Sequence, residues 1–548
     1  MGKFLEGIRS SVLKNFQMEE QQGLNQQPQE TELSGRSDSI TLQQLDMDLE
    51  TENNNSSMYD QEDPSPERTN GMEDFSIDDD VYEEFDSARN QYEKIEWRDN
   101  RSSASECIAG CFWFGFTAFL LSSIGIGAVV FGVLLVNTNI LHWCFYGENG
   151  RADVSRPINN LYYFNYKHLQ LTVQVGEAWL LNFFHLVTMC LVFGKGVIDK
   201  SYILSFNLFA AFVDTVYRLQ LQINDQTEWE WRQVPSIAIF FLIVVINSYL
   251  VSRHFTKCWK KRFVTVIRLS LQFLIGMLTH FILMNGLVLP VLIKSKLMLR
   301  VAITVIFILV AVVMRTIARM SVRGISKINH PGSSYVLLVV VYTLFSLLCR
   351  LQQAVMPLLV FTVLSFANSL VGFLEKVFHL VVDHCLVWSY VTAIQMEKKV
   401  KSFIGVFRTP RSQRLSADAC ICNTLHEFVF IFAANAYVEL RDIPKNLNDS
   451  TKIKESAKQF GIRVLIAFLF EYLFTVFAVF IQVWYMNIPI LKVWKVKWKR
   501  LFFNNLLMTF FLCLITSRYF VGVFDLNNGH AQQNATCSKQ ITGLFVST

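Results

Sequence analysis

Apolar residues along this chain recur in long unbroken blocks, and each block of about 20 is long enough for a helix to cross a hydrocarbon core of about 30 Å. Such blocks run at 109–137, 170–194, 202–221, 234–252, 266–293, 297–314, 419–438, 464–490 and 501–524. A further apolar stretch from Ser333 to Gln395 is long enough for two more. Only helices satisfy every backbone group inside one segment, so the pattern predicts an all-α, polytopic membrane helix bundle of about eleven spans over residues 101–524. In the Ser333–Gln395 stretch two arrangements preserve an odd number of spans. A long helix kinked at Pro357 and followed by a span ending near Gln395 is preferred over a tight hairpin at Arg350–Pro357 with 377–395 lying in the interface. The segment VFHLVVDHCLVWSYVTAIQ is too apolar all round for an interfacial helix.

Ahead of the bundle the pattern stops. Residues 17–100 hold 24 acidic and 5 basic side chains, leaving 21 acidic and 45 basic in the rest of the chain. So charged a segment, poor in large apolar residues, does not repay the entropy of folding, and residues 1–100 are expected to form an acidic, disordered tail. At its start Phe4, Ile8, Val12 and Phe16 recur every four residues among lysine and arginine, the pattern of an amphipathic helix over 3–16. The same segment lacks the apolar run and cleavage site of a secretory signal.

Basic residues set the orientation. Four connecting segments are strongly basic: from Arg253, Arg315–Lys327, Lys398–Arg414, and KVWKVKWKR from Lys492. They are expected to lie in the cytoplasm against anionic lipid, with Arg315, Arg319, Arg323 and Lys327 meeting headgroups and Trp494 and Trp498 anchoring at the interface. The N-terminus is then cytoplasmic, and the C-terminal tail, 525–548, extracytoplasmic. On the outer side fall the glycosylation sequons at Asn448 and Asn534 and two cysteines, Cys144 and Cys537, suited to a disulfide. Cys107 and Cys111, at the inner mouth of the first span, are candidates for acylation by position. In the tail, YEEF at Tyr82 and YEKI at Tyr92 match the tyrosine-x-x-bulky pattern of sorting signals. They point to sorting adaptors as partners and to the plasma membrane or endosomes of a eukaryotic cell.

Ionisable residues inside spans are expensive, and by default they mark a pathway or a site. Glu375, His379 and Asp383, four apart, share one helix face, with His384 beside them. An acid, an imidazole and an acid in a row suit proton or ion transfer, and equally a buried network that fixes packing. Glu177, His426, Glu427 and Glu471 are the other transport-path candidates, with Arg350 or Arg518 as partners for Glu471. Asp214 and Arg218, also four apart, are expected to form a structural ion pair.

The chain lacks a Walker loop, HExxH, Cys-x-x-Cys and Gly-x-Ser-x-Gly, and nothing in it calls for a cofactor, a metal or nucleic acid. The leading expectation is a transporter or channel for a small solute or ion, proton-coupled through the buried Glu, His and Asp. A receptor or trafficking scaffold whose tail recruits partners is the first alternative. A luminal lipid-linked transferase using Glu148 and Asp153 is the second.

Overall fold

The computed structural model describes residues 81–86, 91–96, 103–136, 166–223, 234–283, 297–326, 329–393, 409–440 and 450–526. All of them belong to the unit Thr69–Thr548. Among these residues stand eleven long helices: α1 (Ala104–Val136), α2 (Tyr166–Phe193), α3 (Ile203–Ile223), α4 (Val234–Phe255), α5 (Trp259–Leu283), α6 (Leu297–Ile325), α7 (Pro331–Ala354), α8 (Leu358–Ala393), α9 (Pro410–Leu440), α10 (Ser450–Trp484) and α11 (Ile490–Leu526). Eight are long and apolar enough to cross a membrane: α1, α4 and α6 to α11. The amphipathic segment at 3–16, Glu148, Asp153, Lys327, Asn448, Asn534, Cys144, Cys537 and the C-terminal tail lie outside the described residues, as do the side chains of Glu177, His384 and Arg518.

Local chemistry explains where the helices start and stop. Ser103 caps α1 by accepting from the Glu106 amide at 3.4 Å, and His330 caps α7 by accepting from Gly332 at 3.0 Å. Pro331 and Pro410 occupy first helical positions, where a missing N–H loses nothing. Pro357 separates α7 from α8. The guanidinium of Arg463 (α10) closes this turn, donating to the carbonyls of Ala354 at 2.8 Å and Met356 at 3.0 Å.

Pairing across the bundle corrects the preferred arrangement of this region. From Arg315 to Arg323 along α6, the partner on α8 moves from Glu375 to Asp383, so these two helices run in the same direction. The start of α7 meets the start of α11, through Arg500 to Ser333 at 2.6 Å and Asn504 to Tyr335 at 3.1 Å, while Arg315, near the end of α6, bonds Ser346 of α7. Helices α7 and α8 are therefore the two arms of a hairpin, not one kinked rod. The second arm continues unbroken to Ala393, so 377–393 is no separate interfacial helix either. A proline in an apolar run marks a break, and its identity alone does not show which way the chain leaves it.

Helices α7 and α9 form the centre. Every residue from Val336 to Ala354 is buried, and so is every residue from Pro410 to Tyr437 except Phe432. A helix covered on all sides carries polar side chains wherever neighbours answer them, and α9 has many. Close approach of α1 to α9 depends on small residues in a π-helical stretch, Leu121–Gly127. Ser123 donates to the Phe428 carbonyl at 3.4 Å, and a Cβ on Gly127 would stand 3.3 Å from the Val429 carbonyl.

Several contacts gather the basic segments at one end of the bundle. Asn329 donates to Val192 at 2.8 Å, Arg268 to Gly324 at 3.4 Å and Arg500 to Ser333 at 2.6 Å. Two expectations about this end fail. Trp494 is buried edge-on against Phe114 and donates to Thr117 at 3.2 Å, so it packs on α1 instead of anchoring at a membrane surface. Cys107 and Cys111 are fully buried, whereas Cys258 is exposed. A membrane-permeant maleimide applied to the folded protein should modify Cys258 and spare Cys107 and Cys111 until detergent denaturation, as read by peptide mapping.

Inside the acidic tail, where composition predicts no regular structure, β1 (Val81–Asp86) pairs antiparallel with β2 (Gln91–Glu96). Tyr82 stands opposite Ile95 and Phe85 opposite Tyr92. The strand-forming aromatic and branched residues of these short runs are outweighed, in any tail-wide average, by the acids around them.

Candidate functional site

The buried charges of α6 to α10 form one connected chain. Arg323 meets Asp383 at 2.6 Å, and Asp383 reaches Arg319 at 3.6 Å. Arg319 bonds Glu375 at 2.5 Å, and Glu375 reaches Arg315 at 3.3 Å. Arg315 bonds Glu427 at 3.1 Å, and Glu427 bonds Arg350 at 2.9 Å. Arg350 continues to Glu471 at 2.8 Å, and Glu471 ends the series on Lys376 at 3.4 Å. Five cations and four acids thus alternate, and every acid serves two cations.

Helical repeat builds this arrangement. Arg315, Arg319 and Arg323 form a stripe at four-residue spacing on α6, and Glu375 and Asp383 form the opposing stripe on α8. Hydroxyls fill the remaining acceptor capacity: Ser346 donates to Glu427 at 3.1 Å and Ser369 to Glu471 at 2.9 Å. The face of Tyr342 lies 5.6 Å from the Arg315 guanidinium. The charged residues that α8 gives to the file run from Glu375 to Asp383, so the file extends about 12 Å along this helix, less than half the thickness of a hydrocarbon core.

The sequence-predicted residues whose side chains the structure describes take definite places. Glu375, Asp383, Glu427 and Glu471 all join the file, and Glu471 takes Arg350, one of its two expected partners. His379 does not bridge Glu375 and Asp383. Its Nδ1 lies 2.8 Å from the Lys376 carbonyl and 3.5 Å from Gln482, so the acid–imidazole–acid relay is interrupted. His426 turns away toward α11, with Nε2 3.1 Å from Thr509 and Nδ1 2.7 Å from the Cys422 carbonyl. Asp214 and Arg218 form their ion pair at 3.2 Å.

Arg315 and Arg319 overturn the reading of their stripe as a headgroup contact: both are buried in protein. Lys376 was passed over as well. The available signal was the match between two rows at the same spacing, one basic and one acidic. It was hidden because basic residues near a span end serve first as markers of the cytoplasmic side.

Two small cavities lie along the α6–α8 seam. The larger, about 30 Å³, touches Arg319, Arg323, Glu375, Lys376, His379 and Ser416. The smaller, about 10 Å³, touches Arg315, Cys349, Asn368, Gly372, Glu375 and Glu427. At roughly 10–15 Å³ per water, they have room for about two waters and one. Glu375 borders both, held between them by Arg315 and Arg319. A second polar cluster stands apart, where Asn247 links His185 at 2.9 Å to Asn207 at 3.2 Å and so ties α2, α3 and α4 together. Among the described residues no group of His, Cys, Asp and Glu is arranged to hold a metal ion. Comparison with protein-family models, with curated proteins and with solved structures returns no match for this chain.

Proposed function

We infer that this chain is a transporter or channel of about eleven spans, moving a small ion or solute along the α6–α8 seam. The observation that carries the reading is the pair of cavities strung along a charged file and separated by one carboxylate, Glu375. Nine ionisable groups in a membrane bundle carry an insertion penalty of roughly 2.5–3.5 kcal/mol each before pairing, far more than helix packing requires. Apolar packing of similar volume holds helices at least as well as ion pairs do. A hydrated, charge-lined file does what apolar packing cannot: it gives an ion successive partners across the bilayer. Every carboxylate of the file is already bonded to two cations, and His379 bonds neither acid directly, which favours an ion over a relayed proton. The basic segments at one end of the bundle support a cytoplasmic placement of that end, with the acidic tail on the same side. Anionic lipid at those segments, and sorting adaptors at Tyr82 and Tyr92 in an endosomal or plasma membrane, belong to the same proposal.

The smaller cavity provides a test that leaves every charge in place. Gly372 borders it, and a Cβ added there meets nothing within 4 Å. Gly372→Ala should therefore raise thermal stability slightly, by about 0.4–1 kcal/mol, since alanine suits a helix interior better than glycine. Ala311→Leu, at a buried residue that also lines this cavity, should fill it and cut ion flux into proteoliposomes at least tenfold while the protein stays folded. Unchanged flux in the folded leucine variant removes the seam as the path.

A further inference from the structure

We propose that the acidic hairpin β1–β2 is a detachable cap, docked on the start of α9 and closing the basic end of the α6–α8 seam. The claim that it gates flux rests on the seam reading; the docking does not. Three observations place the hairpin there. First, β1 lies against α9. Second, its tether holds it at the beginning of that helix. Helices α1 and α9 run in the same direction, with Phe119 and Ser123 beside Phe428 and Gly127 beside Phe432. Ser103, twenty residues before Ser123, is therefore level with the first turn of α9. Glu96, the end of β2, stands seven residues before Ser103, a reach of at most about 25 Å. Further along, α9 is enclosed by α1, α7, α10 and α11, so only its start is open to the hairpin. Third, that start is covered. Every residue from Thr409 to Ser416 is buried, Arg411 and Arg414 included, at the end of the bundle where a helix ordinarily meets water. A buried guanidinium calls for counter-charge close by. Asp418 answers Arg414 at 2.9 Å from within the helix, and the two strands bring five acids against the single Lys94.

Position relates the cap to the seam. Leu415 and Ser416, at the inner edge of the covered run, also line the larger cavity with Arg319 and Arg323. An ion entering from the basic end meets the covered run before it meets the cavity. A short tether keeps its segment near the site at an effective concentration of about millimolar, so the docking contacts themselves can be weak. Contacts between charges at a water-facing end are also screened by salt. Such a cap can leave while the helices stay in place.

The test uses the full-length protein carrying Gln413→Cys, at an uncharged position inside the covered run. A water-soluble maleimide reports its exposure by peptide mapping, with the exposed Cys258 as the reference for reagent activity. The double substitution Glu83→Lys with Glu84→Lys places one reversed charge on each face of β1, whichever face meets α9. It should speed labelling at position 413 about tenfold, because modification of a covered site follows the population of its open form, and leave labelling of Cys258 unchanged. In the protein without the reversal, raising sodium chloride to about 1 M should speed labelling at 413 as well. A rate unmoved by both the reversal and salt overturns the docking. Ion flux into proteoliposomes, measured on the same proteins, tests the gate, and the reversal should raise it by a similar factor. Faster labelling with an existing flux unchanged overturns the gate. Faster labelling with no flux in either protein overturns the seam reading and retains the docked hairpin.

Discussion

Replacing Glu427 by leucine should destabilise the folded bundle by about 3–5 kcal/mol, the usual consequence of removing one partner from a buried ion pair. Glu427 joins Arg315 at 3.1 Å to Arg350 at 2.9 Å and accepts from Ser346. Without it each arginine keeps a single acid, the Ser346 hydroxyl loses its acceptor, and the file falls from four acids to three against five cations. The contrasting substitution is Lys376→Met. Without Lys376, Glu471 keeps Arg350 and Ser369, and the side-chain volume is nearly retained. The substitution should leave stability unchanged or raise it. Thermal midpoints of the two variants in one detergent and buffer decide the matter. Equal losses would show that the charges act as independent pairs and not as one balanced file.

Neutralising Glu375 should have the largest effect on flux. The carboxylate holds Arg319 at 2.5 Å and Arg315 at 3.3 Å and borders both cavities, so an ion passing from one to the other must cross at this group. Glutamine keeps the shape and gives up the charge that competes with the passing ion. Ion flux through Glu375→Gln should therefore change about tenfold, rising for an anion and falling for a cation, which corresponds to about 1.4 kcal/mol in the crossing barrier. Asp383 and Glu427 still pair the arginines left behind, so the variant remains measurable. Equal flux in Glu375→Gln and wild type, with both folded, would take Glu375 out of the crossing step.

The helices were largely legible in the sequence because a span is a local property: each expected apolar block corresponds to one of the long helices, from Ala104–Val136 to Ile490–Leu526. What periodicity cannot encode is which way a chain turns. Pro357 marks a break, and only the match of Arg315 with Glu375 and of Arg323 with Asp383 shows that the break is a reversal. The site was half legible for the same reason. Glu375, Asp383, Glu427 and Glu471 stand out as acids in apolar surroundings, whereas Arg315 and Arg319 are written like the basic edge of a span. Their burial is a property of the neighbours that cover them. His379 illustrates the limit of spacing: it shares a face with two acids yet bonds the Lys376 carbonyl and Gln482.

The order of the file along the polypeptide bears on how the bundle is made. All four of its arginines, Arg315, Arg319, Arg323 and Arg350, precede all four of its acids, Glu375, Asp383, Glu427 and Glu471. During synthesis the earlier helices emerge first, so the positive stripe of α6 is complete before any counter-charge exists, and Arg350 arrives still unanswered. Each acid then enters the lipid to find its cation waiting, and Glu471 on α10 is the last of them to arrive. The ribosome thus hands the membrane its unbalanced half first, and the α8–α10 segment completes the neutralisation.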